Sequence, residues 1–187
     1  MLVLGIDPGT ATTGYGVVLG KGAAAMTLVE CGVVRTRARD PLPKRLEEIY
    51  EGVRDLIQRH RPDAMSVEDV FYAKNVRTTV VLGHARGVIL LAAQQAGVSI
   101  HEYPPAEIKK AVTGTGAATK EQVQFMLTRL LRLKAVPQPS DAADGVAAAL
   151  ALCMAPPLPR LNFAASDLAL RAQRAARDAQ DARGSRP

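Results

Sequence analysis

The sequence predicts an α/β domain: a mixed five-stranded sheet flanked by helices. Three observations carry that reading. Two apolar, β-rich runs at residues 2–6 and 15–18 flank an Asp-Pro-Gly-Thr turn, the pattern of an antiparallel hairpin. A third run, 28–35 (LVECGVVR), follows with no helix between, so the chain opens as a three-stranded meander. From Asp40 onward, segments with a 3.6-residue apolar period alternate with short apolar runs. The first run is apolar at nearly every position, as expected of a strand covered on both faces.

Asp40-Pro41 opens a helix whose apolar face is Leu46, Ile49, Tyr50, Val53, Leu56 and Ile57, and which stops near His60–Pro62. Residues 64–70 (AMSVEDV) form a fourth strand, with Glu68 near its end and Asp69 on the opposite face. A long helix covers about residues 76–96. Too many of its faces are apolar for one contact, which points to a second use as a subunit interface. A fifth strand at 98–103 precedes a short helix opened by Pro104-Pro105 and a small-residue loop, TGTGAA, at 113–118. Thr119 and Gln122 have capping-box spacing ahead of a helix whose apolar face holds Val123, Met126, Leu127, Leu130 and Leu131. Ser140 or Asp141 caps a last, Ala-rich helix to about residue 155. Residues 1–155 read as the domain, and the Ala/Arg-rich residues 156–187 as a mobile tail.

The 187 residues carry a net charge of +6 and a sequence pI of about 9.6, which favours a polyanionic partner. Residues 1–155 hold 18 Lys+Arg against 15 Asp+Glu, so half of that excess lies in the tail. No apolar run reads as membrane-spanning and no signal peptide precedes the first strand, so the expected location is the cytoplasm, with no membrane partner. Cys31 and Cys153 read as reduced, buried thiols. His60, His84 and His101 show no ligand spacing, and no Ser/His/Asp or Cys/His arrangement stands out.

Chemistry concentrates in four acids. Asp7 ends the first strand beside Pro8 and Gly9, with the hydroxyls of Thr10, Thr12 and Thr13 close by. A charge on a buried strand is expensive unless it meets a cation or partner, although a turn-capping Asp is the plainer alternative. Glu68 ends the fourth strand. Asp141 and Asp144, three apart, share one helix face, where acids also simply favour a helix start. If strands one and four are parallel neighbours, Asp7 and Glu68 emerge side by side, and the last helix crossing that edge gathers all four. Such acids repel and hold protons until divalent cations arrive, and an all-oxygen donor set suits Mg²⁺ or Mn²⁺ rather than zinc.

Several blocks resemble one family. GIDPGTATTGYGVV (5–18), VEDVFYAKN (67–75), LGHARGV (82–88), EIKKAVTGTGAATKEQVQ (107–124) and SDAADGVAAAL (140–150) occur in the order of the RuvC family. That family comprises bacterial Holliday-junction resolvases, or crossover junction endodeoxyribonucleases, with a ribonuclease-H-like fold. The resemblance spans about residues 1–155. It implies a homodimer that cuts four-way DNA junctions by paired, symmetric, two-metal hydrolysis in recombination and repair. It implies two Mg²⁺ per subunit, with Mn²⁺ able to substitute, held by Asp7, Glu68, Asp141 and Asp144. The family tolerates His where Asp141 stands. By the same resemblance Phe71 contacts or wedges into bases, Lys109 and Lys120 lie near DNA and the site, and the long helix is the dimer contact. RuvA and RuvB are implied as branch-migration partners.

Lys120 is then a candidate to stabilise phosphate charge, with a solvated helix lysine as the alternative. Lys74, Asn75 and Arg77 lie where DNA is expected, and Arg35, Arg37 and Arg86 are further candidate phosphate contacts. Three rival readings remain: an ATP-binding protein of the actin, Hsp70 and sugar-kinase type, a non-catalytic junction binder, and a nuclease for other branched DNA. The first needs two lobes, for which residues 1–155 are short. Four acids facing DNA weigh against the second.

Overall fold

Ten elements follow one another in this computed structural model, which describes residues 1–20, 26–69 and 76–155. They are β1 (Leu2–Asp7), β2 (Thr12–Gly20), β3 (Met26–Arg35), α1 (Leu42–His60), β4 (Ala64–Glu68), α2 (Val76–Gln95), β5 (Ser99–Tyr103), α3 (Pro105–Thr113), α4 (Lys120–Leu130) and α5 (Ser140–Met154). The sheet order is β3-β2-β1-β4-β5. β1, β2 and β3 form the expected antiparallel meander, while β4 pairs parallel to β1 and β5 parallel to β4. The mixed five-stranded sheet is therefore as the sequence predicts, with β1 at its centre.

Both faces are covered. Alternate residues of β1 supply both layers, which explains its nearly continuous apolar run. Val3 packs with α3, α4 and α5 through Ile108, Val123, Leu127 and Leu150. Leu4 and Ile6 pack with α1 and α2 through Ile49, Val53, Leu56 and Ile89. The apolar face predicted for α1 is the buried one. The helix ends where Arg61 turns left-handed (φ 47°) and donates its N–H to the Ile57 carbonyl, with Pro62 blocking continuation.

α5 lies unusually close to the sheet because small residues face small residues. A Cβ added to Gly5 would sit 2.2 Å from the Ala149 nitrogen, and one added to Gly14 would sit 1.8 Å from the Asp141 carbonyl oxygen. Hydrogen in place of a side chain thus lets the helix backbone rest directly on β1 and β2. That contact fixes where the first turn of α5 stands.

Four expectations need correction. Neither Ser140 nor Asp141 caps α5: the cap position is Pro139, no side-chain cap bond forms, and Asp141 lies inside the first turn. The strands are longer at the hairpin than the most apolar stretch suggests, and β4 ends at Glu68 rather than residue 70. Asp69 leaves the ladder after its N–H bonds the Tyr103 carbonyl at 2.8 Å. Finally, α2 is long and apolar enough to cross a membrane by length and composition alone. It packs on α1 through Ala85, Ile89, Ala92 and Ala93, while Val76, Val80 and Leu91 stay exposed. The readings for residues 20–25, Val70 and 156–187 fall wholly or mostly outside the described residues.

Candidate active site

The parallel register of β1 and β4 aligns Val3 with Ala64 through to Ile6 with Val67, so the next residues, Asp7 and Glu68, leave the sheet edge side by side. The helix resting on Gly5 and Gly14 brings Asp144 over that edge. α3 contributes Lys109, and the capping box of α4 presents Lys120 from the first helical turn. In that box the Gln122 N–H donates to the Thr119 hydroxyl at 3.3 Å and the Thr119 N–H donates to Gln122 Oε1 at 2.8 Å. The result is a cavity of about 290 Å³ lined by Asp7, Glu68, Asp144, Lys109 and Lys120 over an apolar floor of Ile108, Val123 and Ala147.

Burial pushes the Asp7 carboxyl up to about 8, aided by the charges of Glu68, Asp144 and Asp141 and opposed by Lys120. Burial likewise pushes Glu68 up to about 7, with Asp144 adding to it and Lys109 and Lys120 opposing. Burial alone would lower the Lys120 ammonium. The 2.6 Å bond to Asp144 Oδ2 and the nearby Asp144, Asp141 and Asp7 charges outweigh that and raise it. Asp141 lies beside this cavity rather than in its lining: its carbonyl stands over Gly14, the strand partner of Asp7, and its charge acts on Asp7. Three of the four predicted acids therefore share the cavity, with the fourth on its Asp7 side.

The turn after Asp7 is clamped. The buried Thr13 hydroxyl donates to the Gly9 carbonyl at 2.7 Å, and Thr36 donates to the Thr10 carbonyl at 2.5 Å. Arg45 Nε in turn donates to the Thr36 hydroxyl at 3.0 Å. Thr36 and Arg45 carry no motif, and only the meeting of β3 and α1 near the turn reveals them.

The acidic side chains of the cavity offer only carboxylate oxygens, and acids whose pKa burial has raised suit a hard divalent cation. Among the described residues, no three His, Cys, Asp or Glu side chains close into a ready-made metal cage.

Phe71, Lys74 and Asn75 lie outside the described residues. Arg77 is exposed in the first turn of α2, and Arg35 and Arg37 are exposed at the end of β3. Arg86 is not the open phosphate contact expected from sequence. Its guanidinium pairs with Asp69 at 3.2 Å and with Glu102, holding it between β4 and β5. His60 bonds Glu30 at 3.0 Å and His84 bonds the Val80 carbonyl at 2.7 Å, in keeping with structural roles. Cys31 and Cys153 are free and half-buried, and burial raises both thiols.

An acid ending the central strand, a second on its parallel neighbour and a third from a helix across the same edge make a carboxylate-centred site on a ribonuclease-H-like sheet. The comparisons with known proteins narrow that class. A model of the crossover junction endodeoxyribonuclease RuvC family matches residues 3–153, and the chain belongs to that family. It is 49% identical over 150 residues to the crossover junction endodeoxyribonuclease RuvC of Brevibacillus brevis, covering 80% of this chain and 90% of the relative. The Thermus thermophilus RuvC structure superposes with a TM-score of 0.77 at 38% identity, covering 82% of this chain and 94% of that one. T. thermophilus RuvC in complex with a Holliday junction substrate gives 0.77 at 40% identity, covering 81% and 92%.

Proposed function

We propose that this protein is a Holliday-junction resolvase that hydrolyses DNA phosphodiesters at the Asp7–Glu68–Asp144 cavity. The observation that carries this reading is the pair of buried, charge-starved acids at the edge of β1 and β4. Asp7, Glu68 and Asp144, with Asp141 from the side, are the residues that would hold divalent cations, two Mg²⁺ by family resemblance, with Mn²⁺ as substitute. Bound cations supply a water activated at neutral pH and neutralise charge on the scissile phosphate and departing oxygen. Asp7, between Glu68 on one side and Asp141 on the other, is placed to serve both cation positions. Lys109 and Lys120 face the same cavity and attract the phosphate. Lys120 exchanges its bond with Asp144 for a phosphate oxygen as DNA seats. Ile108, Val123 and Ala147 supply the apolar part of the lining beneath these charges.

A four-way junction offers two strands of like polarity, so a two-fold dimer matches it with two sites. α2 supports that assembly. Val76, Val80 and Leu91 are about half exposed or more, and a Cβ added to Gly83 or Gly87 meets nothing within 4 Å. These positions recur at helical spacing and form a self-complementary stripe for close helix contact. Phe71, Lys74, Asn75 and Arg77 are assigned to DNA, RuvA and RuvB are the partners the resemblance implies, and the working compartment is the cytoplasm. Residues 1–155 are assigned as the nuclease domain and 156–187 as an appendage.

The test is cleavage of a synthetic mobile four-way junction with Mg²⁺ or Mn²⁺, comparing wild type with Asp7→Asn and using linear duplex as control. Paired symmetric nicks by the wild type, and binding without cutting by the variant, are expected. No cutting with either ion, or equal cutting by both proteins, would contradict the assignment.

A further inference from the structure

α4 has two working faces. Lys120 and Val123 line the acidic cavity, whereas Glu121, Gln122, Phe125 and Met126 point the other way. With Thr113 and Thr115 from the end of α3, they line an open groove of about 410 Å³. Phe125 is 60% exposed, in a chain with only three Phe and no Trp. The buried face of α4 is Val123 and Leu127, so Phe125 is not held out by any failure of the core. The Arg129 guanidinium lies 5.8 Å from its ring centroid and, among the described residues, has no carboxylate partner.

We infer that Phe125 and Arg129 form a stacking platform for one nucleobase of the DNA strand whose phosphate enters the neighbouring cavity. This rests on the nuclease reading above. An exposed aromatic ring backed by an unpaired guanidinium suits a base and its phosphate, since the ring takes the π-face and the cation takes the negative charge. A wholly apolar protein segment would leave that cation without a partner. Glu121 is the one acid in the groove, and its own backbone N–H and the Thr119 hydroxyl, with Lys120 adding, hold its carboxyl below its usual value. Gln122 has its amide oxygen committed to the cap, so it offers its NH₂ group to a base edge. The five residues from Lys120 to Phe125 advance about 7.5 Å along the helix axis. That matches roughly two stacked nucleotide steps, so the strand crosses the first turn of α4 and its base settles beyond it.

The test uses junctions carrying 2-aminopurine at single positions one to three nucleotides from the cut, bound by full-length protein in an Asp7→Asn background with Mg²⁺. Phe125→Ala, Phe125→Leu and Phe125→Trp are compared with the parent, after thermal melts show all four equally folded. Quenching at one position is expected with Phe125 and Phe125→Trp. It should disappear with Ala and with Leu, which keeps the apolar bulk but not the ring, as junction affinity falls about tenfold. Equal fluorescence and affinity in all four proteins would overturn the platform and leave the groove to a protein partner. A parent that does not bind the junction would instead overturn the nuclease reading, and the platform with it.

Discussion

Two acid clusters in this fold receive opposite treatment. Glu30 on β3 is surrounded by donors: the Tyr15 hydroxyl at 2.8 Å, Arg59 through two bonds at 3.0 and 3.1 Å, and His60 at 3.0 Å. Burial raises the Glu30 carboxyl, but the Tyr15 and Arg59 bonds and the Arg59 and His60 charges outweigh it, leaving it below its usual value. Asp7 and Glu68 have the opposite balance: burial comes first for both, with Glu68, Asp144 and Asp141 adding to it at Asp7 and Asp144 at Glu68, pushing them to about 8 and about 7. The first cluster is a strut that ties β2 and β3 to α1. The second keeps its acids raised, the state from which the proposed cation binding would start. The difference lies in what surrounds the carboxylates, since both clusters sit on the sheet.

The largest expected effect separates the two in activity. Asp7→Asn keeps the shape but removes the charge that would hold cations, and several kcal/mol of transition-state stabilisation goes with it, about a thousandfold in junction cleavage. Relief of repulsion leaves its metal-free melting temperature equal to or above that of the wild type. Gly5→Ala tests the seating of α5 instead. Its Cβ would press on the Ala149 and Gly145 backbone, costing about 1–3 kcal/mol by overpacking in a denaturant titration and lowering cleavage as Asp144 is displaced. Glu30→Gln strikes the strut. Partial exposure keeps the loss to about 1–2 kcal/mol of stability, with cleavage per folded molecule unchanged.

In their response to pH the two clusters have opposite signs. A folded-state pKa above the unfolded 3.8 or 4.5 means the native state holds the proton longer. The stability contributed by Asp7 and Glu68 is therefore full below those values and is lost as pH rises through about 7 and about 8. Glu30, lowered when folded, contributes above 4.5 and loses that as pH falls below it. Metal-free melts across pH 3 to 9 should show the decline on raising pH shrink in Asp7→Asn, where Glu68 alone sustains it, and the acid decline shrink in Glu30→Gln. Mg²⁺ should flatten only the former.

Much of this was legible in the residues. Strand ends located Asp7 and Glu68, because an acid after a continuous apolar run has little choice but the sheet edge. The Thr119–Gln122 spacing gave the capping box that orients Lys120. What escaped is long-range. The close seating of α5 depends on Gly5 and Gly14 meeting Ala149 and Asp141, and no local period encodes that pairing. Arg86 read as a surface cation because its partners come from separate segments, Asp69 just past β4 and Glu102 on β5. The apolar length of α2 was understated, since scattered Gly, Thr and polar residues interrupt its Val, Leu, Ile and Ala while leaving its mean hydropathy high.

The raised acids at the β1–β4 edge are proposed to bind divalent cations. Calorimetric titration of Mg²⁺ or Mn²⁺ at pH 7, in two buffers of different ionisation enthalpy, measures that binding and its proton release together. The wild type should bind with release of about one proton or more, as the raised Asp7 and Glu68 ionise. Binding should weaken at least about tenfold in Asp7→Asn and stay unchanged in Glu30→Gln. Equal affinity in wild type and Asp7→Asn, or binding without proton release, would contradict that proposal.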